Sequence, residues 1–306
     1  MTKHVAVVMG GWSSEREVSL VSGAAIAKAL RGSGYEVSTI DIGRNIRAIL
    51  DALDPSTDVV FNALHGRYGE DGCFQGILEF IGIPYTHSGV LASALAMDKP
   101  SAKSLFAAAG ITPPEGRLVP RDEVLAGGFM EPPYVVKPPN EGSSVGVYIV
   151  LEGDDAASYD ETTWPEHEYL LVERFIPGHE INVAIMGEKA LGAIEVRPKG
   201  RFYDYEAKYT EGRAEHLMPA PLPEAAYEES LRLGLLAHKT LGCRGVSRVE
   251  FRYDDTAGEP GPFYILEANT QPGMTPLSLV PEVAAHAGID FPQLVSWIVE
   301  DASCPR

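Results

Sequence analysis

An acid and an amide close an apolar segment of the chain, and both carry oxygen atoms that could bind a metal ion. The segment from Phe263 to Asn269 has the composition of a strand, and alternation places Glu267 and Asn269 on the same face. A second predicted strand lies just upstream, and Arg248 and Glu250 share one of its faces. Paired as a hairpin, the two strands could gather Glu250, Glu267 and Asn269 around one point.

Oxygen ligands of this kind, without His or Cys, suit Mg²⁺, which takes its remaining oxygens from water and from substrate phosphates. A buried carboxylate without a partner is costly, so we expect a positive group to meet these acids. The pattern therefore predicts a nucleotide-dependent enzyme. The alternative is a solvent-facing hairpin, in which Leu266 and Ala268 would provide all the burial of the second strand.

Composition is consistent with a globular enzyme. The 306 residues predict roughly two or three domains with sizeable cores. No long apolar segment is present, so we expect no membrane partner, and the net charge of −18 argues against a nucleic-acid partner, which requires a basic face. The segment Lys3–Met9 leads into a glycine turn rather than a cleavage site, which predicts a cytoplasmic protein. The widely spaced cysteines lack C-x-x-C spacing and indicate free thiols.

The first third of the chain alternates between predicted strands and helices. Short apolar runs at Val5–Met9, Tyr35–Ile40 and Asp58–Asn62 predict strands, and helical spacing follows at Val18–Leu30 and Phe74–Ile81. This alternation is typical of a doubly wound α/β fold. The first turn has two glycines but lacks the G-x-G-x-x-G fingerprint of dinucleotide folds.

Two loops of this region are candidates for binding a substrate. Ser13 or Ser14 is predicted to cap the first helix, and the nearby Glu15 and Glu17 could contact a substrate or merely complement the helix dipole. His65 stands among glycines after the third strand, where open α/β sheets bind ligands. We interpret it as a ligand contact.

A second, smaller domain is predicted after the helix that Met97–Pro100 opens and the Pro- and Gly-rich stretches that follow. The strand Tyr134–Lys137 leads into a Gly- and Ser-rich loop, which could cover phosphates with backbone N–H groups while Lys137 supplies charge. It is not a P-loop, and taken alone a flexible surface turn explains the loop as well. The run Arg201–Tyr209 has neither helical nor strand period and predicts a binding loop or lid.

Leu170–Gly178 is predicted to be a strand that runs into a turn and could form an adenine slot. Backbone groups around Arg174 and Ile176 would meet the base edge, apolar walls would come from Phe175 and Ile176, and Glu180 would meet the ribose. A core strand accounts equally well for the apolar residues.

Motifs in a fixed order now resemble one family. They are Gly-Gly-x-Ser-x-Glu-x-Glu-Val-Ser, Leu-His-Gly-x-x-Gly-Glu-Asp-Gly, Met-Asp-Lys, Lys-Pro-x-x-x-Gly-Ser-Ser-Val-Gly, Tyr-Asp-Tyr-Glu-Ala-Lys-Tyr and Leu-Glu-Ala-Asn-Thr-x-Pro-Gly-Met-Thr. Together they resemble the D-alanine:D-alanine ligases of bacterial cell-wall synthesis, from about Val5 to Trp297. The resemblance implies a three-domain ATP-grasp fold of α/β and α+β parts, with a Rossmann-like domain at 1–97, a small central domain at 98–177 and a C-terminal domain at 178–306.

The resemblance also implies roles by position. The residues implied for ATP are Lys99, Lys137, Glu141, Gly142, Ser143, Ser144, Val145, Glu173, Arg174, Phe175, Ile176, Glu180, Lys208 and Asn269. Those implied for two Mg²⁺ ions, with Mn²⁺ as an alternative, are Glu250, Glu267 and Asn269. Those implied for D-alanine are Glu15, His65, Arg248, Gly273 and Ser278, and those implied for catalysis are Glu15, Ser143, Tyr209, Arg248, Gly273 and Ser278. Glu250 stands where relatives usually have Asp, and Phe175 replaces a Trp seen in some relatives.

The implied reaction joins two D-alanines at the expense of ATP through a D-alanyl phosphate, in a cytoplasmic homodimer. A related ATP-grasp ligase that makes D-alanyl-D-lactate or uses another carboxylate would share the nucleotide site, and the lid near Tyr209 would distinguish the two. A nucleotide-binding protein without turnover is disfavoured, because the metal, lysine and oxyanion residues are all present.

Overall fold

The structure is a computed structural model that describes residues 2–53, 55–154, 159, 162–200 and 212–306. Its first sheet is parallel, with β1 (His4–Gly10) between β2 (Glu36–Ile42) and β3 (Val59–Asn62). The helices of this part are Arg16–Gly32, Ile46–Ala52 and Cys73–Ile81. β1 is buried on both faces, as central parallel strands are, so the predicted doubly wound pattern is confirmed.

The second sheet is antiparallel and small. Its order is β4 (Gly116–Pro120), β7 (Tyr169–Arg174), β5 (Tyr134–Lys137) and β6 (Tyr148–Val150), and the short helix Arg121–Ala126 packs beside it. Buried aliphatic residues and Trp164 form its core. The loop between β5 and β6 leaves one end of this sheet.

The third sheet is antiparallel and the largest. Its order is β10 (Ala214–Leu217), β9 (Lys189–Pro198), β8 (His179–Met186), β11 (Val246–Tyr253) and β12 (Phe263–Asn269). Helices cover both faces. The core on one face joins the sheet to the helices Val90–Met97, Lys99–Ala108 and Glu224–Thr240. The core on the other face joins it to the helices Leu279–His286 and Phe291–Glu300 and to the first sheet. A short 3-10 helix spans Asp255–Ala257.

The predicted domain division at residues 97 and 177 stays a prediction. Ala102 and Phe106 of the helix Lys99–Ala108 belong to the core of the third sheet rather than to that of the second. This packing fixes the position of the charged side chains on the same helix relative to the third sheet.

The predicted hairpin of β11 and β12 is present. Glu250 lies opposite Glu267 and Arg248 lies opposite Asn269. The register shifts next to Glu250, so that Phe251 pairs with Ile265 and Leu266 is the extra residue of a bulge. Leu266 is therefore only partly buried and lines a cavity, and the solvent-facing alternative is wrong because the acids line cavities as well.

Among the described residues, no helix is both long and apolar enough to cross a membrane. Cys73, Cys243 and Cys304 are free thiols, as predicted from their spacing. Burial raises the pKa of Cys243 to about 12, so this thiol stays protonated and unreactive.

Candidate active site

Two adjoining cavities lie where the three sheets meet. The larger, of about 450 Å³, opens between the second and third sheets. The smaller, of about 60 Å³, lies between the third sheet and the loops of the first. Lys99, Glu141 and Glu267 line both cavities, so the two spaces share a wall.

The cavities collect most of the residues predicted from the sequence. The larger is lined by Lys99, Lys137, Glu141, Ser144, Val145, Glu173, Arg174, Phe175, Ile176, Glu180, Glu250 and Glu267. The smaller is lined by Glu15, His65, Lys99, Glu141, Gly142, Ser143, Arg248, Glu267, Asn269 and Gly273.

Among the described residues to which the resemblance assigns a role, Ser278 alone is outside these linings. Ser278 lies just behind Gly273, since a Cβ built on Gly273 would stand 3.0 Å from the Ser278 hydroxyl. That hydroxyl accepts a hydrogen bond of 2.9 Å from the Thr275 N–H. Lys208 and Tyr209 lie outside the described residues, as does the rest of the predicted lid at 201–209.

Positive groups meet the paired carboxylates of β11 and β12, as expected. Lys99 Nζ lies 3.7 Å from Glu267 Oε2. A guanidinium nitrogen of Arg248 lies 3.6 Å from Glu267 Oε1 and 3.7 Å from Glu250 Oε2. These three distances are those of ion pairs and are longer than a hydrogen bond.

The donors near this point are oxygens. Within the described ranges, no cluster of three or more His, Cys, Asp and Glu side chains is placed to hold a metal ion. The candidate metal ligands are therefore the carboxylates of Glu250 and Glu267 and the amide oxygen of Asn269. The Asn269 oxygen accepts a hydrogen bond of 2.8 Å from the Gln271 N–H. Hard oxygen donors beside an open cavity fit Mg²⁺, which needs few protein ligands when a nucleotide supplies phosphate oxygens.

A buried group of two lysines and one acid forms another wall of the larger cavity. Lys137 Nζ lies 2.7 Å from Glu173 Oε2, and Lys103 Nζ contacts the other oxygen of Glu173. All three side chains are more than nine-tenths buried. Glu173 therefore holds the lysines through its carboxylate.

The pKa values of this group follow from burial and charge. Burial and the neighbouring Lys137 lower the pKa of Lys103 to about 8. Burial alone would lower the pKa of Lys137 too, but the Glu173 carboxylate raises it above the ordinary value. Lys137 is therefore a permanent cation in the cavity wall. Lys103 was not predicted, although it lies four residues after Lys99 on a helix, where the two must share a face.

A turn that lines the larger cavity is hydrogen-bonded by Arg252. Arg252 donates to the carbonyl oxygens of Ile176 at 3.1 Å and Gly178 at 2.6 Å. Its guanidinium also lies 5.8 Å from the centre of the Phe175 ring. The backbone N–H of Arg174 donates to the Glu115 carbonyl at 2.8 Å, and the backbone N–H of Phe175 donates to the Pro133 carbonyl at 3.2 Å. Sequence reasoning missed Arg252, whose alternation with Glu250 on β11 could have indicated it.

The loop between β5 and β6 spans the cavities, and hydrogen bonds tie it to its surroundings along its length. Lys99 Nζ donates to the Glu141 carbonyl at 2.5 Å, and Trp164 Nε1 donates to the Gly146 carbonyl at 2.7 Å. Between these points, Ser143 Oγ donates to Glu15 Oε1. Ser143 has a φ of 50°, in a region that non-glycine residues rarely adopt. The loop thus covers the cavities and contacts the first sheet through Ser143.

Two glycines allow other segments to approach Glu15 closely. Gly66 has a φ of 69°, and a Cβ there would lie 2.5 Å from Glu15 Oε2; at Gly142 the corresponding distance is 3.2 Å. The first helix begins at Arg16, so Glu15 occupies the cap position, and the prediction of Ser13 or Ser14 as the cap is wrong. Ser13 instead donates to the His65 carbonyl at 2.7 Å, which ties the two substrate loops together.

His65 is a buried histidine beside an acid. Its Nδ1 lies 4.0 Å from Glu70 Oε2, and its side chain is 6% exposed. Burial alone would lower the pKa of His65, but the carboxylates of Glu70 and then Glu15 raise it above the ordinary value. Glu70, which sequence reasoning did not single out, also accepts a 2.8 Å hydrogen bond from the Gly66 N–H.

Buried amides join the His65 loop to the Gly273 loop. Asn62 Nδ2 donates to the Gly69 carbonyl and to Gln271 Oε1, both at 2.9 Å. Gln271 Nε2 donates in turn to the Leu64 carbonyl. Nothing in local periodicity indicated Gln271, because its partners come from a distant part of the chain.

Solved structures are similar to this fold over nearly the whole chain. The ATP-complexed D-alanine–D-alanine ligase from Bacillus anthracis has a TM-score of 0.82 and 33% identity, covering 98% of this chain and 97% of that one. The VanG D-Ala:D-Ser ligase from Enterococcus faecalis has a TM-score of 0.80 and 30% identity, covering 98% and 99%. The fold is therefore the ATP-grasp fold of this class of ligases.

Sequence comparisons give the family. Residues 126–300 match the D-ala D-ala ligase C-terminus family, and residues 4–52 and 47–88 match the D-ala D-ala ligase N-terminus family. The D-alanine–D-alanine ligase of Paramagnetospirillum magneticum is 56% identical over 99% of this chain and 100% of its own length. That of Xanthobacter autotrophicus is 55% identical over the whole of both chains. The chain belongs to the D-alanine–D-alanine ligase family.

Proposed function

We infer that this chain is an ATP-dependent ligase that joins two D-alanines into D-alanyl-D-alanine for peptidoglycan synthesis. The observation that carries the inference is the shared wall of the two cavities, where Lys99, Glu141 and Glu267 face both spaces. A phosphoryl group must pass from a nucleotide to a small carboxylate, and a shared wall lets the two meet. The similar proteins described above carry the name D-alanine–D-alanine ligase.

We propose that ATP occupies the larger cavity. Its phosphates would meet Lys99, Lys137 and the backbone of the loop Gly142–Val145, and Lys208 would reach the γ-phosphate. The turn Arg174–Ile176 would receive the adenine, and Glu180 the ribose. What supports this assignment is charge, since Lys137 is held as a cation by Glu173 in a protein whose net charge is −18.

Glu250, Glu267 and Asn269 would hold two Mg²⁺ ions, with Mn²⁺ as an alternative, because they supply oxygen donors next to the phosphate end of the larger cavity. When bound, Mg²⁺ would offset phosphate charge as one anion approaches another. Lys99 and Arg248 both lie close to the Glu267 carboxylate. These two side chains, the acids and the bound metal ions would together determine the net charge around the phosphates.

The smaller cavity suits the first D-alanine. Its size, about 60 Å³, excludes a large side chain. Glu70 raises the pKa of His65, so the His65 cation would be available over a wider pH range to attract the substrate carboxylate, and Glu15 would accept from the ammonium. The carboxylate would then attack the γ-phosphorus of ATP, the bond from that phosphorus to the β,γ-bridging oxygen would break, and D-alanyl phosphate and ADP would form.

The second step would use Arg248 and the Gly273 N–H as an oxyanion site. The ammonium of the second D-alanine, bound near Ser278, would first lose a proton; the free amine would then attack the acyl carbon, and inorganic phosphate would leave as the peptide bond forms. Each donor to the developing oxyanion can contribute about 3–4 kcal/mol. Ser143 and Tyr209, with Glu15, would hold the lid closed, because water would hydrolyse the acylphosphate.

The setting of the enzyme is also a proposal. We propose that it works in the cytoplasm as a homodimer, without a nucleic-acid or membrane partner. The net charge of −18 supports the exclusion of nucleic acids.

The test is the stereochemistry and identity of the product. With ATP and Mg²⁺, D-alanine should release ADP and phosphate and give D-alanyl-D-alanine in equal amount, whereas L-alanine should release neither. The same reaction with D-serine or D-lactate as the second substrate measures acceptor choice. ADP release without a dipeptide, or equal rates with L-alanine, would contradict the assignment.

A further inference from the structure

Asn182 is a buried amide that the proposed reaction does not use. It lies in the middle of β8, and its side chain is 1% exposed. Neither its Oδ1 nor its Nδ2 has a hydrogen-bond partner in the part of the chain that the structure describes. Most buried polar side chains are paired, and each exception requires an explanation.

The strand register shows what lies beside this amide. Asn182 pairs with Ile194 of β9 on one side and with Glu250 of β11 on the other, and Glu250 in turn pairs with Glu267 of β12. Residues directly opposite one another point to the same face of a sheet, with Cβ atoms about 5 Å apart. Asn182, Glu250 and Glu267 therefore form one row along one face.

Only one of the two neighbours can satisfy Asn182. Ile194 offers no polar atom, whereas Glu250 carries a carboxylate that can accept several hydrogen bonds. In this structure Glu250 Oε2 lies 3.7 Å from the guanidinium of Arg248. A carboxylate that binds a cation with one oxygen can still accept a hydrogen bond with its other oxygen.

We propose that Asn182 is a positioning residue, whose Nδ2 donates to the Glu250 carboxylate and holds it as a metal ligand when the metal and the nucleotide bind. This proposal rests on the proposed function. Carboxylates that bind metals are as a rule hydrogen-bonded by neighbours, which fix their orientation. The ligand-free enzyme then keeps an unsatisfied amide, and binding of the metal and nucleotide satisfies it.

The experiment compares wild type with Asn182→Leu, which replaces the amide by a hydrocarbon of similar size. Thermal melting is recorded without ligand and during titration of Mg²⁺ in the presence of the non-hydrolysable nucleotide AMP-PNP. We expect the ligand-free variant to melt at a higher temperature than wild type, because an unpaired buried amide has been removed. We expect its Mg²⁺ affinity to be about 10-fold to 100-fold weaker.

The expected rise in melting temperature and the expected fall in Mg²⁺ affinity have opposite signs. This combination distinguishes a positioning role of Asn182 from a general loss of structure. A purely structural asparagine would lower the ligand-free melting temperature and leave the Mg²⁺ titration midpoint unchanged, and that result would overturn the proposal. Asn182→Thr, which keeps a donor and suits a strand, should retain Mg²⁺ affinity closer to wild type than Asn182→Leu does. Equal loss in both variants would also count against it.

Ile194→Val is the matched control, because Ile194 is the apolar neighbour on the same face. It should lower the melting temperature slightly without moving the Mg²⁺ midpoint. If wild type itself gains no stability from Mg²⁺ with AMP-PNP, the proposed nucleotide site fails and the role of Asn182 fails with it. If wild type responds and Asn182→Leu responds equally, only the role of Asn182 is overturned.

Discussion

Asn62 and Gln271 are 209 residues apart in the chain, and their side-chain amides share a hydrogen bond of 2.9 Å in the interior. Asn62 is the last residue of β3, the strand that leads to His65. Gln271 precedes Gly273. The bond therefore sets the distance between the group proposed to bind the first substrate and the backbone proposed to stabilise the oxyanion.

Replacing Gln271 by Leu should weaken this link. It removes the hydrogen bonds of Gln271 to the Asn62 amide and to the Leu64 carbonyl, while Asn62 keeps its bond to Gly69, and it should lower the free energy of unfolding by about 1–3 kcal/mol. The KM for D-alanine should rise more than the KM for ATP, because the substrate loops separate while the nucleotide cavity is untouched. Chemical denaturation and steady-state kinetics measure both effects.

Gln75→Leu is the control for that substitution. Gln75 donates to the Gly69 carbonyl at 3.0 Å, within the first part of the chain. It should lower stability without the selective rise in the KM for D-alanine. An equal rise in both variants would mean that the Asn62–Gln271 bond has no special part in substrate binding.

Ser143→Ala removes the contact between the covering loop and Glu15. The lost hydrogen bond should cost loop closure about 0.5–1.5 kcal/mol and admit water to the acylphosphate. More phosphate than dipeptide should then form per turnover. Ser104→Ala, which removes an exposed hydroxyl that donates to the Pro100 carbonyl within the helix Lys99–Ala108, should keep the two products equal. Equal products in Ser143→Ala would show that this hydroxyl does not seal the site.

Glu267→Gln should abolish ligation while the fold persists, because it removes a charge that faces both cavities and both nearby cations. We expect activity to fall by more than about 100-fold, beyond the effect of losing a neighbour of a metal ligand. Melting near the wild-type temperature confirms folding. Substantial turnover in this variant would contradict the metal assignment.

Glu250→Asp should be tolerated, since the charge and the oxygen donors remain and the resemblance implies Asp at this position. Glu229→Asp, which shortens an exposed acid paired with Arg232, serves as the control for shortening one acid. Complete inactivity of Glu250→Asp would mean that the site is built around the longer side chain.

Glu70→Gln should lower the pKa of His65. In wild type the pKa of His65 is raised, so the cation persists above the ordinary value of 6.5 and is lost as the pH rises through the raised pKa. Any stability that the cation contributes is therefore complete below pH 6.5 and lost over the same rise. In the variant, both the NMR titration of His65 and the rise in the KM for D-alanine should move to lower pH. The exposed Glu17→Gln should change neither, and an unmoved titration in Glu70→Gln would contradict the assigned cause.

The sequence alone determined those features of the protein that depend on neighbours along the chain. Alternation predicted the strands β11 and β12 and the faces of their acids, because side chains in a strand alternate whatever surrounds it. Ordered motifs indicated the family, which the comparisons confirm.

The tertiary structure decided the partners. Lys103 meets Glu173 and Asn182 lies beside Glu250, and each of these pairs joins segments whose proximity is set by sheet register or helix packing. The cap of the first helix is Glu15 rather than a serine, and Ser13 donates across the chain to the His65 carbonyl. Local pattern reports what a residue can do, whereas burial and pairing across distant segments determine which of those interactions it makes.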